Sequence, residues 1–195
     1  MLKLINQLLN KLKTKELKDN VSITDSLTIE VKRGLHKRYL IIARELYKAS
    51  EPNSETPNLG ERRKGRLIVC LVIICFAIES FVNDVLQIKC GLCFDEVERK
   101  PLFEKVKKIY KNGNQNILKI IHELIKTRND LAHYKPNFRK PDDEIEIRYE
   151  SIDHKKVAEF YSNTVKLMQA ISKEQDLGEE FAWLIGYSED INSAT

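Results

Sequence analysis

Twelve consecutive uncharged residues at positions 67–78, LIVCLVIICFAI, are almost wholly apolar and are closed by Glu79. No polar stripe interrupts them, so a helix formed here has no side to turn towards water. Other elements must wrap it on every face. The run also falls well short of the roughly 20 apolar residues needed to cross a bilayer. It is therefore expected at the centre of a buried helix, and the rest of the chain must supply its cover.

The cover is also predicted to be helical. With 7 Gly and 5 Pro in 195 residues, there are few natural breaks. Ser26 or Asp25 can cap a helix over 27–49, with Val31, Leu35, Tyr39, Ile42 and Leu46 facing inward. A polar, proline-bearing stretch at 51–60 is expected to be an exposed loop, and the long helix follows over 61–89. A shorter helix is expected over 95–110, kinked by Pro101, then the turn KNGNQN and a helix ended by Pro136. DEIEIRYE at 143–150 alternates like a short extended segment. Ser151 or Asp153 then caps a helix to 172 that packs through Val157, Phe160, Val165, Met168 and Ile171. Residues 176–195 form a C-terminal extension, with a short turn at Phe181, Trp183 and Leu184 before the chain frays. The expected architecture is all-α: an up-and-down bundle of four to five long helices forming a single domain over 1–195.

The first 20 residues read as a basic amphipathic helix whose leucines are interleaved with lysines, so they contain no signal-type core. Cys70 and Cys75 lie inside the apolar run, and Cys90 and Cys93 form a lone CGLC. No second pair at suitable spacing completes a zinc site, and a helix rather than a strand precedes CGLC. Buried reduced thiols in the cytosol are the expectation, with no metal, no cofactor and no membrane. A net charge of +4 is a mild basic excess that fits an anionic partner without requiring one.

The functional signal lies at 117–134, ILKIIHELIKTRNDLAHY. Advancing about 100° per residue places Ile117, Ile121, Leu124 and Leu131 on one stripe, and Arg128 falls inside it. A guanidinium in that position must find a carboxylate, a phosphate or a water-filled cleft. Glu79, at the edge of the apolar run, is the best candidate to hold it. His133 lies five residues on from Arg128, which turns the two about 140° apart on an ideal helix. Either Arg128 bends past the small Ala132, or the site is pooled from two copies. Asn129 shares a flank with His133 and can orient the imidazole or bond a phosphate oxygen. Metal-free RNA cleavage needs a base for the 2′ hydroxyl and a cation for the charge developing on phosphate. Histidine and arginine supply that combination.

TRNDLAHY resembles the signature of HEPN domains, in which an arginine, a polar residue directly after it and a following histidine mark metal-independent ribonucleases. The matching positions are Arg128, Asn129 and His133. FAIESFVNDVL at 76–86 resembles the family's earlier helix, with Glu79 and Asn83 at its polar positions. The resemblance implies a helical bundle that dimerises, so that two motifs line a cleft between protomers. It also implies RNA as substrate, a toxin or defence role, and control by an antitoxin or other regulatory protein. Arg128, His133 and Asn129 would be catalytic, with Glu79, Asn83, Asp130 and Tyr134 supporting. A subgroup controlled by nucleotide attachment carries a tyrosine two residues after the histidine. Here Tyr134 follows His133 directly and Lys135 takes that place, so this control is not implied.

The alternative is a non-catalytic module that binds nucleotide, RNA or a partner protein. In that case Arg128 only fixes helix register through an ion pair, and His133 is favoured by the helix macrodipole. Arg62, Arg63, Lys64 and Arg66 could track RNA phosphates, although such clusters are more often solvated helix starts. His36, His122 and His154 are expected as surface or interfacial residues.

Overall fold

The computed structural model describes residues 34–51, 60–90, 99–111, 113–132 and 151–193. Within them run five α-helices: α1 (Leu35–Lys48), α2 (Gly60–Cys90), α3 (Leu102–Ile109), α4 (Gln115–Ala132) and α5 (His154–Glu174). A short 3-10 turn follows at Ala182–Leu184. No strand occurs among the described residues, and the fold is an all-α bundle. The expected N-terminal helix at 1–20, the extended segment at 143–150 and most of the loop at 51–60 lie outside the described residues.

The apolar run occupies the middle of α2, where Cys70, Leu71, Ile74, Cys75, Ala77, Ile78 and Phe81 have no solvent exposure. α2 is packed against α1, α3, α4 and α5, which bury most of the run and leave one stripe, Val69, Val72 and Phe76, half-buried. The run alone is too short for a bilayer, but the helix containing it is not. Arg62–Lys89 is long and apolar enough to cross a membrane by length and composition, and most of its apolar window is buried inside the bundle. The thiols of Cys70 and Cys75 are free. Burial pushes both up, Cys75 to about 12.

α1 corrects the expected inner face. Its buried stripe is His36, Leu40, Ala43, Arg44 and Tyr47, while Leu35, Tyr39, Ile42 and Leu46 are half-buried. The helix is rolled so that two polar side chains face inward. His36 is fully buried rather than on the surface, among the rings of Phe81, Phe181 and Trp183. Its Nδ1 lies 3.2 Å from Asp84 Oδ2, close in distance but without hydrogen-bond alignment. Arg44, 2% exposed, donates to the Ser188 carbonyl at 3.0 Å and lies 4.6 Å from the Tyr187 ring and 5.3 Å from that of Tyr161.

The expected start at Asp95 lies outside the described residues, and α3 runs from Leu102. Pro101, with φ −54° and ψ 142°, is the residue before the helix, not a kink within it. Proline there supplies no N–H and starts the helix cleanly at Leu102. Between α3 and α4 the chain turns tightly, and a Cβ on Gly113 would overlap the Tyr110 ring. That close approach lets the Tyr110 hydroxyl accept from the Asn114 N–H at 3.1 Å. Asn114 Oδ1 in turn accepts from the N–H groups of Asn116 and Ile117, capping α4. Asp153 caps α5 in the same way, accepting from the Lys156 N–H at 2.7 Å.

The C-terminal extension does not fray after its short turn. Leu177, Phe181, Leu184 and Ile191 are all buried. α5 holds the segment through its backbone: Gln169 Nε2 donates to the carbonyls of Leu184 and Tyr187 at 3.2 and 3.1 Å. Lys166 pairs with Glu189 at 3.2 Å. Backbone carbonyls paired by side-chain donors become inexpensive to cover, which is why an irregular strap can lie on the bundle.

Candidate functional site

On α4, Ile121 and Leu124 are fully buried and Leu118 and Ile125 nearly so, anchoring the helix against α2 and α5. One turn on, the same face presents Arg128, whose side chain is only 20% exposed. Its guanidinium meets Glu79, Asn129, the Phe76 ring and the Cys75 thiol. Nη2 lies 3.4 Å from Glu79 Oε2, Nη1 donates to Asn129 Oδ1 at 2.9 Å, and the planar group stands 5.9 Å from the Phe76 ring. Glu79 is one turn beyond Cys75 on α2, at the margin where the apolar run ends. The negative charge of Glu79 also reaches Tyr39 of α1, whose phenol is pushed up by burial and by that carboxylate.

The ion pair is long and water-accessible, so Arg128 keeps donor capacity for another anion. A groove of about 500 Å³ opens beside it. Ile125, Lys126, Asn129 and Asp130 of α4 line it, together with Glu79, Lys100 and Phe103. His122, exposed, also lines it and stacks on Phe103 with ring centres 4.4 Å apart and planes 29° apart. Nothing in the local pattern distinguished His122 or Phe103 beforehand. Their pairing depends on α3 lying across α4, which helical periodicity does not report.

Not every predicted residue meets at this place. Asn83, one turn past Glu79, accepts from Lys105 Nζ at 3.0 Å, and Lys105 is itself 2% exposed. That bond belongs to the α2–α3 contact. The basic cluster sits in the first turns of α2, with Arg62 and Arg66 exposed and Arg63 and Lys64 half-buried. Arg66 donates to the Ala49 carbonyl, tying α2 to the end of α1. By helix rise the cluster lies about 20 Å along α2 from Glu79. His133 and Tyr134 lie outside the described residues, and so does Cys93.

Among the described residues, no group of three or more His, Cys, Asp or Glu side chains is gathered in a way that could hold a metal ion. No family model matches the chain, and no curated protein or solved structure matches it either.

Proposed function

We propose that this protein is a metal-independent endoribonuclease of HEPN type, working in the cytosol as a homodimer. The observation that carries the reading is the placement of Arg128. A guanidinium embedded in an apolar helix face, braced by Glu79 and Asn129, opens onto a groove with basic residues along it. Such a group meets a phosphate with a planar fork of donors.

In this mechanism His133 accepts the proton of the 2′ hydroxyl, whose oxygen attacks the adjacent phosphorus. Arg128 stabilises the charge gathering on the non-bridging oxygens. The 5′ oxygen leaves, taking a proton from an imidazolium, and the products are a 2′,3′-cyclic phosphate and a 5′ hydroxyl. On an ideal helix Arg128 and His133 would point about 140° apart, so this reading pools the site from two protomers. A toxin or defence role, restrained by an antitoxin or other regulatory protein, follows from the same reading.

The test is total RNA incubated with the purified protein in EDTA. Wild type cuts, while Arg128→Ala and His133→Ala do not. Cutting that requires added metal, or that persists in either variant, overturns the proposal.

The Arg128–Glu79 ion pair also fits a second reading, a non-catalytic module whose groove binds nucleotide, RNA or a partner protein. Intact RNA with salt-sensitive binding would select it.

A further inference from the structure

We infer that the groove beside Arg128 seats a nucleobase of single-stranded RNA, stacked on the open face of His122, next to the phosphate that Arg128 holds. This rests on the proposed role of Arg128 as phosphate holder.

The inference starts from the shape of α4. His122, Ile125 and Arg128 follow one another at three-residue steps, so each lies about 60° round the helix from the last. Ile125, 7% exposed, forms the floor, and His122 and Arg128 rise on either side of it. The two flanks are separated by about 9 Å along the axis at 1.5 Å per residue. A phosphate at one end therefore leaves its neighbouring base within reach of the other.

His122 is not a free surface histidine. Phe103 covers one face of the imidazole, and Lys107 braces Phe103 in turn, its Nζ 4.8 Å from the ring centre. The imidazole is exposed and lines the groove, and the ring face turned away from Phe103 is the one a base would meet. A ring held by one stacked neighbour and otherwise exposed is a stacking platform, and any base can use it because every base has a π-face. Lys126, one turn from His122, and Lys100, also lining the groove, supply cations for the flanking backbone. A paired base is already stacked within its duplex, so the platform favours single strands.

The experiment measures binding of full-length protein to a labelled 2′-O-methyl oligouridine, which has no 2′ hydroxyl to attack, and to an abasic oligomer of equal length. Wild type should prefer the base-bearing strand by about tenfold, the scale of one base–aromatic stack. His122→Ala should erase that preference and His122→Phe should keep it, with the salt dependence of binding unchanged in both. Lys126→Ala should instead flatten the salt dependence and leave the preference intact. A preference surviving in His122→Ala, or absent from wild type, overturns the inference.

Failure of the cleavage reading is separately visible. Natural RNA left uncut while the His122-dependent preference persists removes catalysis but keeps the seat. RNA cut by His122→Ala with an unaltered KM removes the seat and keeps catalysis.

Discussion

Arg128 Nη2 and Glu79 Oε2 stand 3.4 Å apart across the contact of α2 and α4, with side chains 20% and 37% exposed. A pair that open to water orients a side chain more than it stabilises a fold. Glu79→Gln is therefore expected to cost under about 1 kcal/mol in urea unfolding. RNA cleavage should nonetheless fall several-fold, because the guanidinium loses its brace. Equal activity and equal stability in the variant would remove Glu79 from the site.

Alkaline pH should weaken the fold through its buried thiols. Burial raises Cys75 from an ordinary 9.0 to about 12, and raises Cys70 as well. Their protonated forms are thus favoured in the native state, so this stability is fully present below about pH 9. It drains away as pH rises towards about 12, where the unfolded thiols have already ionised. The expected slope from Cys75 is about 1.4 kcal/mol per pH unit. Cys75→Ala should remove that part of the slope when unfolding is measured between about pH 9 and 11.

Arg44 is the clamp between α1 and the C-terminal strap, through the Ser188 carbonyl and the rings of Tyr161 and Tyr187. Arg44→Ala leaves a cavity, an unpaired carbonyl and two rings without their cation. A loss of about 2–4 kcal/mol is expected. Limited proteolysis should then cut first after residue 176, whereas wild type resists there. Cutting at the same sites and rates in both proteins would show that the strap is held by its apolar residues alone.

The turn into α4 should be unusually intolerant. Gly113→Ala places a methyl group where the Tyr110 ring lies, so the ring must move and the Asn114 N–H loses its acceptor. About 1–3 kcal/mol is expected from the overpacking. Asn114→Ala should cost about 1 kcal/mol by uncapping α4. A thermal melt of Gly113→Ala matching wild type would contradict the close approach.

Periodicity and composition carried most of the architecture. The uninterrupted run at 67–78 required a helix at the centre of the bundle, and α2 is that helix, although Val69, Val72 and Phe76 remain half-buried along one stripe. Of the two caps the sequence offered for α5, Ser151 and Asp153, it is Asp153 that holds the first turn, and Val157, Phe160, Val165, Met168 and Ile171 are all buried on that helix. These signals are local, since a cap needs only its own first turn and an apolar stripe only its own helix. Pro101 was read less well, because a proline fits the beginning of a helix as readily as a kink within one, and residues upstream decide between them.

Arg128 was legible for the opposite reason, as a charge where the period asks for leucine, and the glutamate nearest the same apolar margin stands beside it. His36 and Arg44 were not legible as inner residues of α1, since each is buried only because Asp84, Ser188 and surrounding rings come from distant parts of the chain. The pairing of His122 with Phe103, and the groove it borders, were equally invisible. The linear chain by itself determined which segments are helical and which faces must be hidden, because backbone hydrogen bonding and apolar burial act over a few residues. Tertiary structure alone decided which polar side chains could be taken inside, because desolvating them is tolerable only beside partners that the folded topology brings within reach.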